Sequence, residues 1–223
     1  MDKILQQDEK VLATAQPILR VGRDVLRGLQ TLHRFGFIHR DLASREQCNC
    51  TIAILHELSG NVLLDKQGRA VLTDFGLARK RVYRPRVEGI VPFYFEVRVL
   101  MPDCCRNFCC CCCCCCVQAP ESMNPDVLRR VYSEATDSWS FGCLMWEIVT
   151  RCRELNPYEG RGELSQVMDE KVQLRPCLPR DNPLPVEVCE AINSCWAFKP
   201  AERPTAAKLL AVFERHVKPT ATE

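Results

Sequence analysis

At 223 residues the chain is long enough for one domain with a sizeable core, and 47% of it is hydrophobic. The formal net charge of +2 argues against nucleic acid or a membrane surface as a bulk electrostatic partner. Residues 1–10 are polar and charged, unlike a signal peptide, and no run of about 18 apolar residues is present to span a bilayer. The apolar stretch at 89–101 is short and is broken by Glu96 and Arg98.

In chain order, Ile18, Val21, Val25, Leu29 and Leu32 fall three and four apart, which predicts an amphipathic helix. Pro17 lies near its start, where a missing N–H costs little, and Phe35-Gly36-Phe37 ends it. Residues 62–65 and 70–73, on either side of Lys66-Gln67-Gly68, predict a short hairpin. From Asp137 a helix runs through Trp139, Phe141, Leu144, Met145, Trp146 and Ile148. It is apolar nearly all round, so it is expected to be buried. Residues 156–160 form a turn, and further helices are expected over 164–172, 185–198 and 205–216. The expected fold class is α+β, mainly α-helical, with one small β-hairpin.

Seventeen cysteines ordinarily suggest disulfides or metal sites, but their distribution is lopsided. Ten lie between Cys104 and Cys116, and eight of these, Cys109 to Cys116, are consecutive. The rest are scattered, apart from Cys48-Asn49-Cys50, and read as reduced structural thiols of a cytoplasmic protein. Adjacent thiolates can collect zinc or copper(I), and a cysteine run can also be palmitoylated. A homopolymer has no spacing that selects a geometry, however, so a translated trinucleotide repeat is the favoured reading.

Six short motifs stand in order: His39-Arg40-Asp41-Leu42-Ala43-Ser44-Arg45, Asn61-Val62-Leu63-Leu64, Asp74-Phe75-Gly76, Ala119-Pro120-Glu121, Asp137-Ser138-Trp139-Ser140-Phe141-Gly142 and Glu202-Arg203-Pro204. Singly, each has an ordinary reading as a turn, a loop carboxylate or a core aromatic. Together they resemble the C-terminal lobe of a protein kinase, and more narrowly of a tyrosine kinase, over nearly the whole chain from Pro17 onward. Arg45 lies four after Asp41 with no Lys two after it, which is the tyrosine-kinase pattern.

The resemblance implies phosphoryl transfer from ATP, with magnesium, to a protein tyrosine. Asp41 would be the base for the substrate hydroxyl and Arg45 a helper on the substrate or phosphate side. Asn61, Leu63 and Asp74 would form the cofactor-binding set, with Asn61 and Asp74 as the metal ligands. His39, Phe75 and Gly76 belong to the spine and turn that set Asp74. Asp137 would bond the catalytic-loop backbone, and Glu121 would pair with Arg203. Arg40 would meet a phosphate on the activation segment, for which Tyr83 is the leading candidate.

Three departures accompany the resemblance. Only 38 residues precede His39, with no glycine-rich loop and no Val-Ala-Ile-Lys strand, so the chain reads as a partial kinase domain over 1–223. Glu46 stands where the catalytic-loop Asn is expected, and Asn61 arrives fifteen residues later, so 46–60 reads as an insertion. Residues 82–117, with the cysteine run, form an aberrant activation segment. Little or no activity is expected of this polypeptide alone. The competing expectation is a non-catalytic, kinase-derived interaction module. The parent is expected to be cytoplasmic or the intracellular part of a receptor.

Overall fold

The computed structural model describes residues 14–42, 57–59, 61–65, 69–80, 118–123, 130–150, 157–158, 161–162, 164–169, 171–172 and 174–219. The first helix, α1, spans Ala15–Arg34 and buries Ile18, Leu19, Val21, Gly22, Val25, Leu26 and Leu29 along one stripe. Pro17 sits in its first turn, where the amide has no intrahelical partner. The helix stops because Phe35 N–H and Gly36 N–H turn back onto Thr31 O (3.2 Å) and His33 O (2.9 Å). Gly36 sits at φ +77°, a conformation that strains any residue with a Cβ.

Five short strands follow among the described residues: β1 (Phe37–Ile38), β2 (Glu57–Ser59), β3 (Val62–Leu64), β4 (Ala70–Leu72) and β5 (Arg79–Lys80). β1 pairs antiparallel with β5. The expected hairpin is β3 against β4, with Val62 opposite Leu72, Leu63 opposite Val71 and Leu64 opposite Ala70. Asp65 clasps the base of its turn, accepting from Arg69 N–H (2.9 Å) and Arg69 Nε (2.7 Å). The sheet has a third strand that periodicity did not predict: β2 pairs with β3, across a register shift, from within the segment expected as an insertion.

The second helix, α2, spans Glu134–Thr150, starting three residues before the expected Asp137. Ser133 Oγ accepts from Ala135 N–H (3.2 Å), which satisfies one of the N–H donors a helix start leaves open. All residues from Thr136 to Ile148 are buried, so α2 is the central element, enclosed on every face. The helices α3 (Val186–Ser194) and α4 (Ala206–His216) complete the described body, with Thr205 capping α4 by accepting from Lys208 N–H. α1 packs on α4 and β4, and α2 on α1 and α3. The core cluster includes Trp139, Trp146 and Trp196, each buried.

Two expected helices are shorter than periodicity suggested. In place of a helix over 164–172 there is a single 3₁₀ turn at Leu164–Val167. Asp169 Oδ1 takes the amides of Lys171 (2.7 Å) and Val172 (3.3 Å), so a side chain has displaced the helical acceptors. The helix expected over 185–198 ends at Ser194. Of the turn expected over 156–160, Pro157 and Tyr158 are described, as a buried turn, and the others lie outside the described residues. Among the described residues no helix is long and apolar enough to cross a membrane.

Candidate active site

Asp137 stands in the first turn of α2 with its side chain fully buried. A buried carboxylate is costly unless its lone pairs are filled. Three donors fill them here. His39 N–H reaches Oδ2 (2.8 Å), Arg40 N–H reaches Oδ1 (2.9 Å), and His33 Nε2 lies 2.8 Å from Oδ2. A carboxylate only accepts, so its geometry assigns the proton of His33 to Nε2. The two backbone bonds hold His39-Arg40 in a turn where Arg40 adopts φ +73°, uncommon for a residue with a Cβ. The Arg40 guanidinium lies 4.7 Å over the ring of Tyr132. This clamp sets the direction in which the chain enters Asp41.

The β3–β4 register delivers the second half of the site. With Val62 opposite Leu72, Asn61 falls across from Thr73, and Thr73 N–H donates to Asn61 O at 2.9 Å. Asp74 follows directly. Asn61 is buried, and its Nδ2 donates to the backbone carbonyl of Asp41. His39 Nε2 reaches Thr73 O at 3.2 Å, so the two halves share a hydrogen-bonded seam. Asp74 has φ +49° and caps the 3₁₀ turn Phe75–Leu77 by accepting from Gly76 N–H (3.1 Å).

The structure thus gathers His39, Arg40, Asp41, Asn61, Asp74, Phe75, Gly76 and Asp137. Leu63 lies on β3, partly buried between β2 and β4. Phe75 meets the His39 ring with centroids 5.4 Å apart and is 51% exposed. Its outer face opens onto a cleft lined also by Leu32, Phe35, Phe37 and Val71, with none of the described elements packed over it. Arg45, Tyr83 and the cysteine run lie outside the described residues, and no group of three or more His, Cys, Asp or Glu side chains that could hold a metal ion occurs among the described ones.

Glu121 and Arg203 form a bidentate pair, Nη1 to Oε1 at 2.6 Å and Nη2 to Oε2 at 2.8 Å. Arg203 also donates to the carbonyls of Ala197, Ala135 and Phe198, and its guanidinium lies 4.9 Å from the Trp139 ring. The pair therefore fastens the Pro120–Ser122 turn to the start of α2. Arg175 stacks on Trp139 and Phe198 nearby, and burial holds its guanidinium below the ordinary arginine value. Burial likewise pushes the Cys195 thiol well up, which leaves it inert.

Sequence reasoning missed His33 and Tyr132. His33 had a signal: four residues after buried Leu29, it continues the apolar stripe of α1 with a polar side chain. Tyr132 had none, because its partner Arg40 stands 92 residues away in the chain.

The chain matches the family model for protein tyrosine and serine/threonine kinases over residues 1–96 and 111–213. It belongs to the protein tyrosine and serine/threonine kinase family. It is 31% identical over 225 residues to the E3 ubiquitin-protein ligase KEG of Arabidopsis thaliana, covering 96% of this chain and 12% of that protein. It is 29% identical over 186 residues to the human proto-oncogene tyrosine-protein kinase ROS, covering 82% of this chain and 6% of that one. It is 30% identical over 195 residues to the human tyrosine-protein kinase TXK, covering 86% of this chain and 29% of that one. The chain therefore spans only a small part of these relatives' length.

Proposed function

We propose that this chain is the C-terminal lobe of a protein tyrosine kinase, whose parent transfers the γ-phosphoryl group of ATP to a protein tyrosine. The carrying observation is the convergence on Asp41: Asp137 clamps the two residues before it, and Asn61 Nδ2 bonds its carbonyl from the β3–β4 side. Asp41 accepts the proton of the tyrosine hydroxyl as that oxygen attacks the γ-phosphorus and the β–γ bridging bond breaks. Arg45 assists on the substrate or phosphate side. Asn61 and Asp74 offer hard oxygen donors from adjoining positions of one hairpin, a set suited to magnesium. Asn61 and Asp74 would hold magnesium there, and it would supply positive charge to offset the negative charge of the phosphates. Leu63 belongs to the same nucleotide-facing segment. Arg40 awaits a phosphate on the activation segment, with Tyr83 its leading source.

Phosphoryl transfer depends largely on positioning. The 223-residue polypeptide alone is expected to transfer little or no phosphate, and a longer parent that covers the nucleotide is expected to transfer it. The test is ATP-dependent phosphorylation of a tyrosine peptide by the parent and by its Asp41→Ala and Asp74→Asn variants. Loss by roughly 10²-fold or more in Asp41→Ala is expected. Undiminished transfer by that variant sinks the assignment.

A second reading, a non-catalytic interaction module, is favoured by the exposed Phe35, Phe37, Val71 and Phe75 around a cleft of about 480 Å³. It predicts partner binding that ignores nucleotide and survives Asp74→Asn.

A further inference from the structure

We propose that the side-chain amide of Gln16 is a latch that closes residues 217–219 as a strap over the start of α1. The proposal is independent of the kinase reading. Gln16 is the second residue of α1 and half-buried. Its Nε2 donates to His216 O (3.0 Å), at the last residue of α4, and its Oε1 accepts from Lys218 N–H (2.8 Å). A carbonyl faces one atom of the amide and an N–H faces the other, so its orientation is forced by its partners. The two bonds flank Val217 on either side. One neutral side chain thus joins the start of the first described helix to the end of the last, 200 residues away in the chain.

Each bond meets a need of the backbone. The last carbonyls of a helix have no intrahelical donor, and Gln16 supplies one to His216. Val217 N–H still closes back on Phe213 O (3.0 Å). Val217 then leaves the helix at φ −77°, ψ 120°, and its side chain packs partly buried against the core. Lys218 N–H lies past the helical ladder, and Pro219 has no N–H, so Lys218 is the last amide by which the strap can be held. A further link between α1 and α4 is the ion pair of Arg27 with Glu214 (2.9 Å), whose side chains are about half exposed. An exposed pair of that kind contributes little. The strap is also one wall of a cleft of about 190 Å³, where Val217, Lys218 and Pro219 face Arg23, Arg27 and Glu214. Opening the latch removes that wall and bares the arginine side of α1.

The experiment follows amide hydrogen exchange at Lys218 in the full 223-residue chain, against the amides of Leu209 and Leu210 inside α4 as the measure of wider opening. Gln16→Met keeps the length of the side chain and removes both polar atoms. Exchange at Lys218 is expected to rise about fivefold or more beyond any rise at Leu209 and Leu210, the size set by losing the hydrogen bond on that amide. Glu214→Gln weakens the ion pair and leaves the latch in place, and Lys218 is expected to stay within about twofold of the unsubstituted chain. Because the latch joins neutral groups, protection of Lys218 is expected to survive about 1 M sodium chloride, where charges are screened beyond about 3 Å. A Lys218 amide that is unprotected in the unsubstituted chain overturns the proposal, as does one that Gln16→Met leaves unchanged. An equal rise at Lys218 and inside α4 overturns it too, since Gln16 is then a general packing residue. Loss of protection in salt, or a Glu214→Gln variant that exchanges as fast as Gln16→Met, assigns the hold to the ion pair instead.

Discussion

Arg203 shows how much one side chain can hold together. Its guanidinium uses all five N–H donors, on both Glu121 oxygens and on the carbonyls of Ala197, Ala135 and Phe198. Arg203→Ala strips partners from a part-buried carboxylate and three carbonyls at once, and a loss of about 3–5 kcal/mol is expected in urea unfolding. Arg203→Lys should recover little of it, since one ammonium cannot match a planar fork. At the surface, Glu187 joins α3 to the end of α4 through Arg215 and, at 2.7 Å, His216. The hydrogen bond from Arg215, then that from His216, holds the Glu187 carboxyl below its ordinary value. A depressed folded-state value means stability that is present above the unfolded value and lost as pH falls through the folded one. Glu187→Gln should therefore lower the urea midpoint slightly at neutral pH. The gap to the parent sequence should close on acidification below the usual carboxylate range, and a gap that widens there contradicts the assignment.

Between α1 and α4, a glycine makes room for a large side chain. A Cβ at Gly22 of α1 meets the Phe213 ring of α4, with Cδ1 at 2.9 Å and Met145 Sδ at 3.1 Å. Alanine normally favours a helix over glycine by about 1 kcal/mol. Here overpacking, typically about 1–3 kcal/mol, opposes that gain and should exceed it. Gly22→Ala is expected to lower the thermal midpoint, and a stabilised variant refutes the α1–α4 packing described. The same logic explains why α2 is legible as a buried element from its composition while 164–172 is not legible as a turn. Burial on every side leaves an unbroken apolar run, whereas the Asp169 side-chain bonds that stop a helix leave no trace in periodicity.

For the molecule as a whole, the site exists because distant segments meet. His33 and Asp137 are 104 residues apart, and Asp41 and Asn61 are 20 apart with an anomalous stretch between. Glu121 and Arg203 are 82 apart. α2 supplies the common floor: its buried first turn holds the His39-Arg40 turn through Asp137, and its start holds the Pro120–Ser122 turn through Arg203. The opposite side, around Phe35, Phe37, Val71 and Phe75, remains an open apolar face beside Asp74. Among the described residues, the exposed apolar side chains therefore lie on one side of the gathered residues and the buried helix on the other.

The sequence by itself determined the family, the central buried helix, the hairpin and most of the residues that gather at the site. Those features depend on local periodicity and on ordered motifs whose residue types carry their own chemistry. Only the tertiary structure decided that His33 completes the Asp137 clamp, that Arg40 rests on Tyr132, that residues 57–59 add a strand and that Phe75 lies half exposed. Each of these is a contact, or a missing cover, between segments far apart in the chain. A hydrogen bond of that kind is selected by where packing brings two backbones together, and neither partner's neighbours in sequence record it.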